Sequence, residues 1–110
     1  MKQYVVDELR PADREKLKAH LDAHYGGSSV HGIYWVPLAA QVLSPRQAGH
    51  TDCQPLCFAM DLGPTSLCCE LLIRTHSRMR CDCMGYADET QRNWIVSFVD
   101  TLLDRLGILT

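Results

Sequence analysis

With 46% hydrophobic and 22% charged residues, the 110-residue chain can fill one globular core, burying about two-thirds of its unfolded surface at this size. Eleven basic against thirteen acidic residues leave a formal charge of −2, too near neutral to mark a nucleic-acid or membrane-surface protein. The opening segment Met1 to Glu8 has only a short apolar patch before two acids, unlike a signal peptide, and no apolar run nears the roughly 20 residues that span a bilayer, so a cytoplasmic protein is expected.

Tyr4-Val5-Val6 is strand-prone, and Pro11 and Asp13 suit the first turn of a helix that carries Leu17 and Leu21 to about Ala23, where Gly26-Gly27 ends it. On that helix His20 and His24 are four residues apart but lack the glutamate of a zincin motif. His24 is expected to be partly buried beside Leu17 and Leu21. Ile33-Tyr34-Trp35-Val36, stopped by Pro37, reads as the next strand, and Ser44-Pro45-Arg46-Gln47 as a capping box opening a short helix.

From Pro55 the text is regular. Leu56, Phe58, Met60 and Leu62 alternate with Cys57, Ala59 and Asp61, and Gly63-Pro64-Thr65-Ser66 makes a turn. Pairing Leu62 with Leu67 sets Met60 opposite Cys69, Phe58 opposite Leu71 and Leu56 opposite Ile73. A second reversal near Thr75 to Arg78 leads into a third strand over Met79 to Met84. Asp88-Glu89-Thr90-Gln91 then caps a helix whose Ile95, Phe98, Val99, Leu102, Leu103 and Leu106 recur at three- and four-residue intervals up to Gly107. The order predicts one α+β domain over residues 1–110: a two-layer sandwich whose mainly antiparallel sheet, with a C-terminal three-stranded meander, is packed by an N-terminal and a C-terminal helix.

Six cysteines, Cys53, Cys57, Cys68, Cys69, Cys81 and Cys83, crowd the middle of the chain. In a reducing compartment they are expected as thiols rather than disulfides, most of them filling core positions as small hydrophobes. A zinc or iron site built from His50, Cys53, Cys57, Cys81 and Cys83 is the alternative. It lacks paired C-x-x-C knuckles, and residues two apart on a strand stand about 6–7 Å apart, so Cys81 and Cys83 would have to lean inward or sit at a bulge. The loop-proximal His50, Cys53 and Cys57 would then meet Cys81 or Cys83 at one end of the meander.

Two further surfaces stand out. Arg74, His76, Arg78 and Arg80 crowd one reversal and suit an anion or acidic partner. Trp35 lies in a strand where an aromatic residue is either core or a partner surface. Cys57, Ala59, Cys68 and Leu72 make the sheet's second face less polar than a solvated face, which suits a protein partner or a second copy. The functional expectation is a small cytoplasmic, non-catalytic interaction or regulatory domain without a cofactor, homo-oligomeric through a sheet surface if that face is bare. Zinc or iron binding is the alternative and a thiol-redox enzyme the third reading.

Overall fold

Most of the strand-prone and helix-capping segments take up their expected places in a computed structural model that describes residues 2–26, 32–75 and 81–109. Strand β1 (Gln3–Val6) leads into helix α1 (Pro11–Tyr25), and strand β2 (Ile33–Pro37) into a 3-10 turn and the short helix α2 (Pro45–Gly49). A second 3-10 turn (Thr51–Cys53) precedes the hairpin strands β3 (Leu56–Leu62) and β4 (Leu67–Glu70), which are followed by β5 (Leu72–Thr75), β6 (Gly85–Tyr86) and helix α3 (Glu89–Arg105). The result is an α+β fold with a six-stranded, mostly antiparallel sheet packed by helices. Among the described residues no helix is long and apolar enough to cross a membrane.

Both capping boxes form. Ser44 and Gln47 exchange hydrogen bonds at the start of α2, as do Asp88 and Gln91 at the start of α3. Gly107 ends the last helix at φ +70°, a conformation glycine adopts without steric cost. Gly26 caps α1 at φ −63° rather than with the positive φ its type suggests. Space explains the glycine, because a Cβ there would lie 2.3 Å from the Asp22 carbonyl oxygen. Gly27 lies outside the described residues.

The hairpin register holds at the turn and changes beyond it. Leu62 pairs with Leu67 and Met60 with Cys69, but Cys57 then pairs with Arg74 and Leu56 with Thr75, not Ile73. Three positions along β3 are matched by five along its partner, so the partner strand bulges at Leu71 and is divided into β4 and β5. Leu71 turns its backbone outward, its N–H donating to the Lys2 carbonyl and its carbonyl accepting from the Ala87 N–H. β1 therefore continues the sheet beside β4, and β6 beside β5.

Alternation then sorts the side chains. Phe58, Met60, Tyr34, Val36, Leu67, Cys69 and Ile73 are buried on one face together with Leu17 and Leu21 of α1 and Ile95 and Val99 of α3. The Phe58 ring meets Trp94 and Phe98 of α3 edge-on, with centroids 6.2 and 6.1 Å away, an arrangement favoured by the ring quadrupoles. Tyr4 and Tyr34 send hydroxyls to Asp100 on α3 and Asp22 on α1. Both long helices are thereby tied to the same sheet face.

The third strand of the meander is displaced from its expected position. Residues Cys81 to Met84 form a turn, closed by a 3.1 Å bond from the Met84 N–H to the Cys81 carbonyl, and among the described residues after this turn pairing begins at Gly85; Met79 and Arg80 lie outside the described residues. The alternation of Cys81 and Cys83 is not that of a strand.

Candidate metal centre

The end of helix α2 and the 3-10 turn that follows it deliver the first two side chains of the site, His50 and Cys53. The helix's capping box fixes the entry, and at its end the His50 N–H donates to the Gln47 carbonyl while the Cys53 N–H donates to the His50 carbonyl, each at 3.1 Å. In such a 3-10 turn, side chains three apart eclipse, so His50 and Cys53 project together. The Thr75 hydroxyl donates to the Cys53 carbonyl, tying this turn to the end of β5. The chain then returns as the Cys81–Met84 turn, which presents Cys81 and Cys83 toward the same point.

Four donors converge there. His50 Nδ1 stands 3.1 Å from Cys81 Sγ, Cys53 Sγ stands 3.5 Å from Cys81 Sγ, and the ligand atoms of His50, Cys53, Cys81 and Cys83 all lie within 4.8 Å of one another. Zn–S bonds of about 2.3 Å in a tetrahedron set sulfurs about 3.8 Å apart, so the observed set is within about 1 Å of closing on one ion. Cys53 and Cys83 are buried, while His50 and Cys81 are half-buried, so one side of the group faces solvent.

The local chemistry favours thiolate at one position. The Cys83 backbone N–H and the Cys83 side chain donate to Cys81, and with Cys53 and His50 they hold its thiol down to about 7, despite the opposing effect of burial. Burial and the neighbouring sulfurs push Cys83 upward. Near neutral pH the Cys81 sulfur is thus poised between thiol and thiolate while its neighbour Cys83 keeps the proton, and a bound cation would favour thiolate at both.

Around the donors lies a polar surround. Asp82, exposed between the two cysteines, sets Oδ1 3.7 Å from His50 Nε2, the ring nitrogen turned away from Cys81, and its other oxygen 3.7 Å from Arg46. Behind the site the buried Gln47 side chain donates to the Cys83 carbonyl at 3.0 Å. Asp82 and Gln47 were not among the expected site residues. The first is flagged only by its place between two ligand-type residues, and the second reads in the sequence only as a capping residue.

Cys57 does not join the group. It lies on β3 with its side chain on the sheet face away from the helices, only 2% exposed, and its thiol is turned toward the Pro55 carbonyl. Strand alternation separates it from the turn that carries Cys53. Burial pushes its thiol upward, as it does that of Cys69, which rises to about 12 inside the core.

The other expected surfaces are also redistributed. On the second sheet face Ala59 sits opposite Trp35 and Cys57 opposite Arg74, and the Arg74 guanidinium stands 6.0 Å from the centre of the Trp35 ring. Two long side chains meet over two small ones. Cys57 and Ala59 are thus buried within the chain itself and offer no contact area, while Trp35, Cys68 and Leu72 remain half-buried. Arg74 is bonded to Glu70 at 3.0 Å and is not aimed at an anion; His76, Arg78 and Arg80 lie outside the described residues. His24 is exposed and His20 half-buried, the reverse of the burial expected for His24, because the facing part of α3 presents Ser97 and Thr101 and leaves a groove.

All six cysteines are free thiols. No known protein family, no curated protein and no solved structure matches the chain, so its chemistry is read from these contacts alone.

Proposed function

We propose that the chain is a zinc-binding domain in which one ion, held by His50, Cys53, Cys81 and Cys83, staples the α2–β3 connection to the β5–β6 connection. The observation that carries this reading is the mutual approach, within 4.8 Å, of four soft donors from two segments far apart in sequence. Thiolate and imidazole suit zinc, and they also admit iron. Four protein ligands leave no open coordination position, which favours a structural, non-catalytic ion. A reducing compartment such as the cytoplasm would keep the thiols available.

Elemental analysis of untagged protein tests the reading. One zinc per chain is expected, with loss of the metal in Cys53→Ser and Cys83→Ser and its retention in Cys57→Ala. Stoichiometric iron would keep the site and change its ion, whereas metal-free protein that takes up no added zinc would overturn it.

A protein-interaction role has separate support from the second sheet face. Val5 and Tyr86 there are 43% and 47% exposed, next to half-buried Cys68 and Leu72. Partly exposed apolar side chains on a face over which no described helix packs suit a protein partner or a second copy. Light scattering of zinc-loaded protein at high concentration tests self-association, and a strictly monomeric chain would remove the second copy from this reading.

A further inference from the structure

We propose that the groove between the C-terminal half of α1 and the middle of α3 binds a small organic anion with an aromatic body, of the aryl carboxylate class. The groove encloses about 510 Å³, a volume ordinary for small-molecule sites. Trp94 and Phe98 form its aromatic wall, stacked with centroids 5.3 Å apart and planes 29° from parallel. Phe58 packs edge-on against both rings from the sheet side. The aromatic surface is therefore fixed before any ligand arrives, which lowers the entropic cost of stacking against it.

Charge selects the ligand class. Among the described residues the groove is lined by His20, His24 and Arg105 and by no aspartate or glutamate, although Asp and Glu outnumber Lys and Arg in the chain by thirteen to eleven. The two imidazoles lie 4.2 Å apart. Among the described residues Arg105 makes no ion pair, and its guanidinium can grip a carboxylate with two parallel N–H donors. Burial, with His24 and Arg105 beside it, holds the His20 imidazole below its ordinary range, so Arg105 supplies the fixed positive charge of the groove and the largely uncharged His20 a ring N–H, and a bound anion would favour the protonated ring. Ser97 and Thr101 add hydroxyls along the same helix face. A flat apolar body against Trp94 and Phe98, with its carboxylate toward Arg105 and His20, satisfies both halves of the groove. This inference does not depend on the zinc reading.

Calorimetry of the purified protein with 2-naphthoate, and with 2-naphthalenemethanol as its neutral counterpart, provides the test, with the indole N–H resonance of Trp94 reporting the location. Naphthoate is expected to bind about tenfold or more tightly than the alcohol, the worth of one charge-assisted contact. Arg105→Ala should remove most of that preference and His20→Ala part of it, while Arg92→Ala, also on α3 but outside the groove, should leave it intact. Because Arg105 is on the surface, unchanged far-ultraviolet circular dichroism will establish that its variant is folded. Equal affinity for acid and alcohol, a naphthoate-induced shift that spares Trp94, or no binding at millimolar ligand would each overturn the proposal.

Discussion

The side-chain amide of Gln91 donates a 2.6 Å hydrogen bond to the side-chain oxygen of Gln47, joining the capping glutamine of α3 to that of α2. The same Gln91 nitrogen donates to the Val42 carbonyl, and Gln47 passes its own amide to Cys83. One buried chain of amides thus links the start of the C-terminal helix to the turn bearing two of the four candidate ligands.

Breaking that chain should be costly because each truncation strands a buried partner. Gln47→Ala and Gln91→Ala are each expected to lower stability by about 1–3 kcal/mol. The double variant should lose less than the sum, with a coupling of at least about 0.5 kcal/mol. Urea unfolding of all four proteins measures this, and strict additivity would mean that the two amides act independently.

Asp82 should tune the metal without holding it. A carboxylate on the outer nitrogen of a ligating histidine fixes the ring and raises its basicity, and its loss typically weakens metal binding about 10–100-fold. Asp82→Asn is therefore expected to keep one zinc per chain at lower affinity, measured by competition with a chromophoric chelator. Unaltered affinity would show that the 3.7 Å separation from His50 does not close when the ion is bound.

Removal of zinc should loosen one end of the molecule and spare the other. Zinc at about a thousandfold over its dissociation constant would add about 4 kcal/mol of stability, which a strong chelator should abolish and added zinc restore. Amide hydrogen exchange in the chelated protein is expected to accelerate over 51–53 and 81–84 while β3 and α3 stay protected. Uniform acceleration across the sheet would instead make the ion a condition of folding.

Alkaline titration should separate the tyrosines. The Asp100 carboxylate raises Tyr4 to about 12, and burial assisted by Asp22 raises Tyr34 to about 12. Each phenol keeps its proton more firmly in the folded chain than in the unfolded one, whose tyrosines ionise near 10. Their contribution to stability is full below pH 10 and lost as pH rises toward 12. Absorbance at 295 nm should show at least two of the four tyrosines ionising late in native protein. In Asp100→Asn, Tyr4 should move back toward 10.

Thiol labelling should separate the cysteines by environment. Cys68, half-buried and outside the ligand group, is expected to react first in zinc-loaded protein, well ahead of Cys57 and Cys69, which are buried and held as thiols. All six should react after unfolding with a chelator present. Rapid native labelling of Cys69 would contradict its place in the core.

The sequence made some of this legible for definite reasons. Leu62 and Leu67 flank a Gly-Pro turn, so the hairpin and its first pairs follow from alternation. Past Glu70 the run Leu71-Leu72-Ile73 is apolar on both faces, and the two extra residues around Leu71 leave no mark in the pattern. Cys81 and Cys83 mimic strand alternation, although their spacing reflects a turn whose sulfurs converge. Cys57 entered the candidate set through its nearness to Cys53 in sequence, but one strand residue, Leu56, is enough to send the next side chain to the opposite face. Gln47 showed only its capping role because its second set of partners lies 36 and 44 residues away.

The bulge at Leu71 has a consequence for neighbours as well as for register. By splitting one strand in two, it leaves that margin of the sheet to a four-residue and a two-residue segment, β1 and β6, rather than to one long ribbon. The opposite margin, β2, ends in Pro37, which has no N–H to offer. Short, interrupted margins give an incoming extended chain few consecutive backbone groups to pair with, and the fold thereby resists strand-to-strand aggregation.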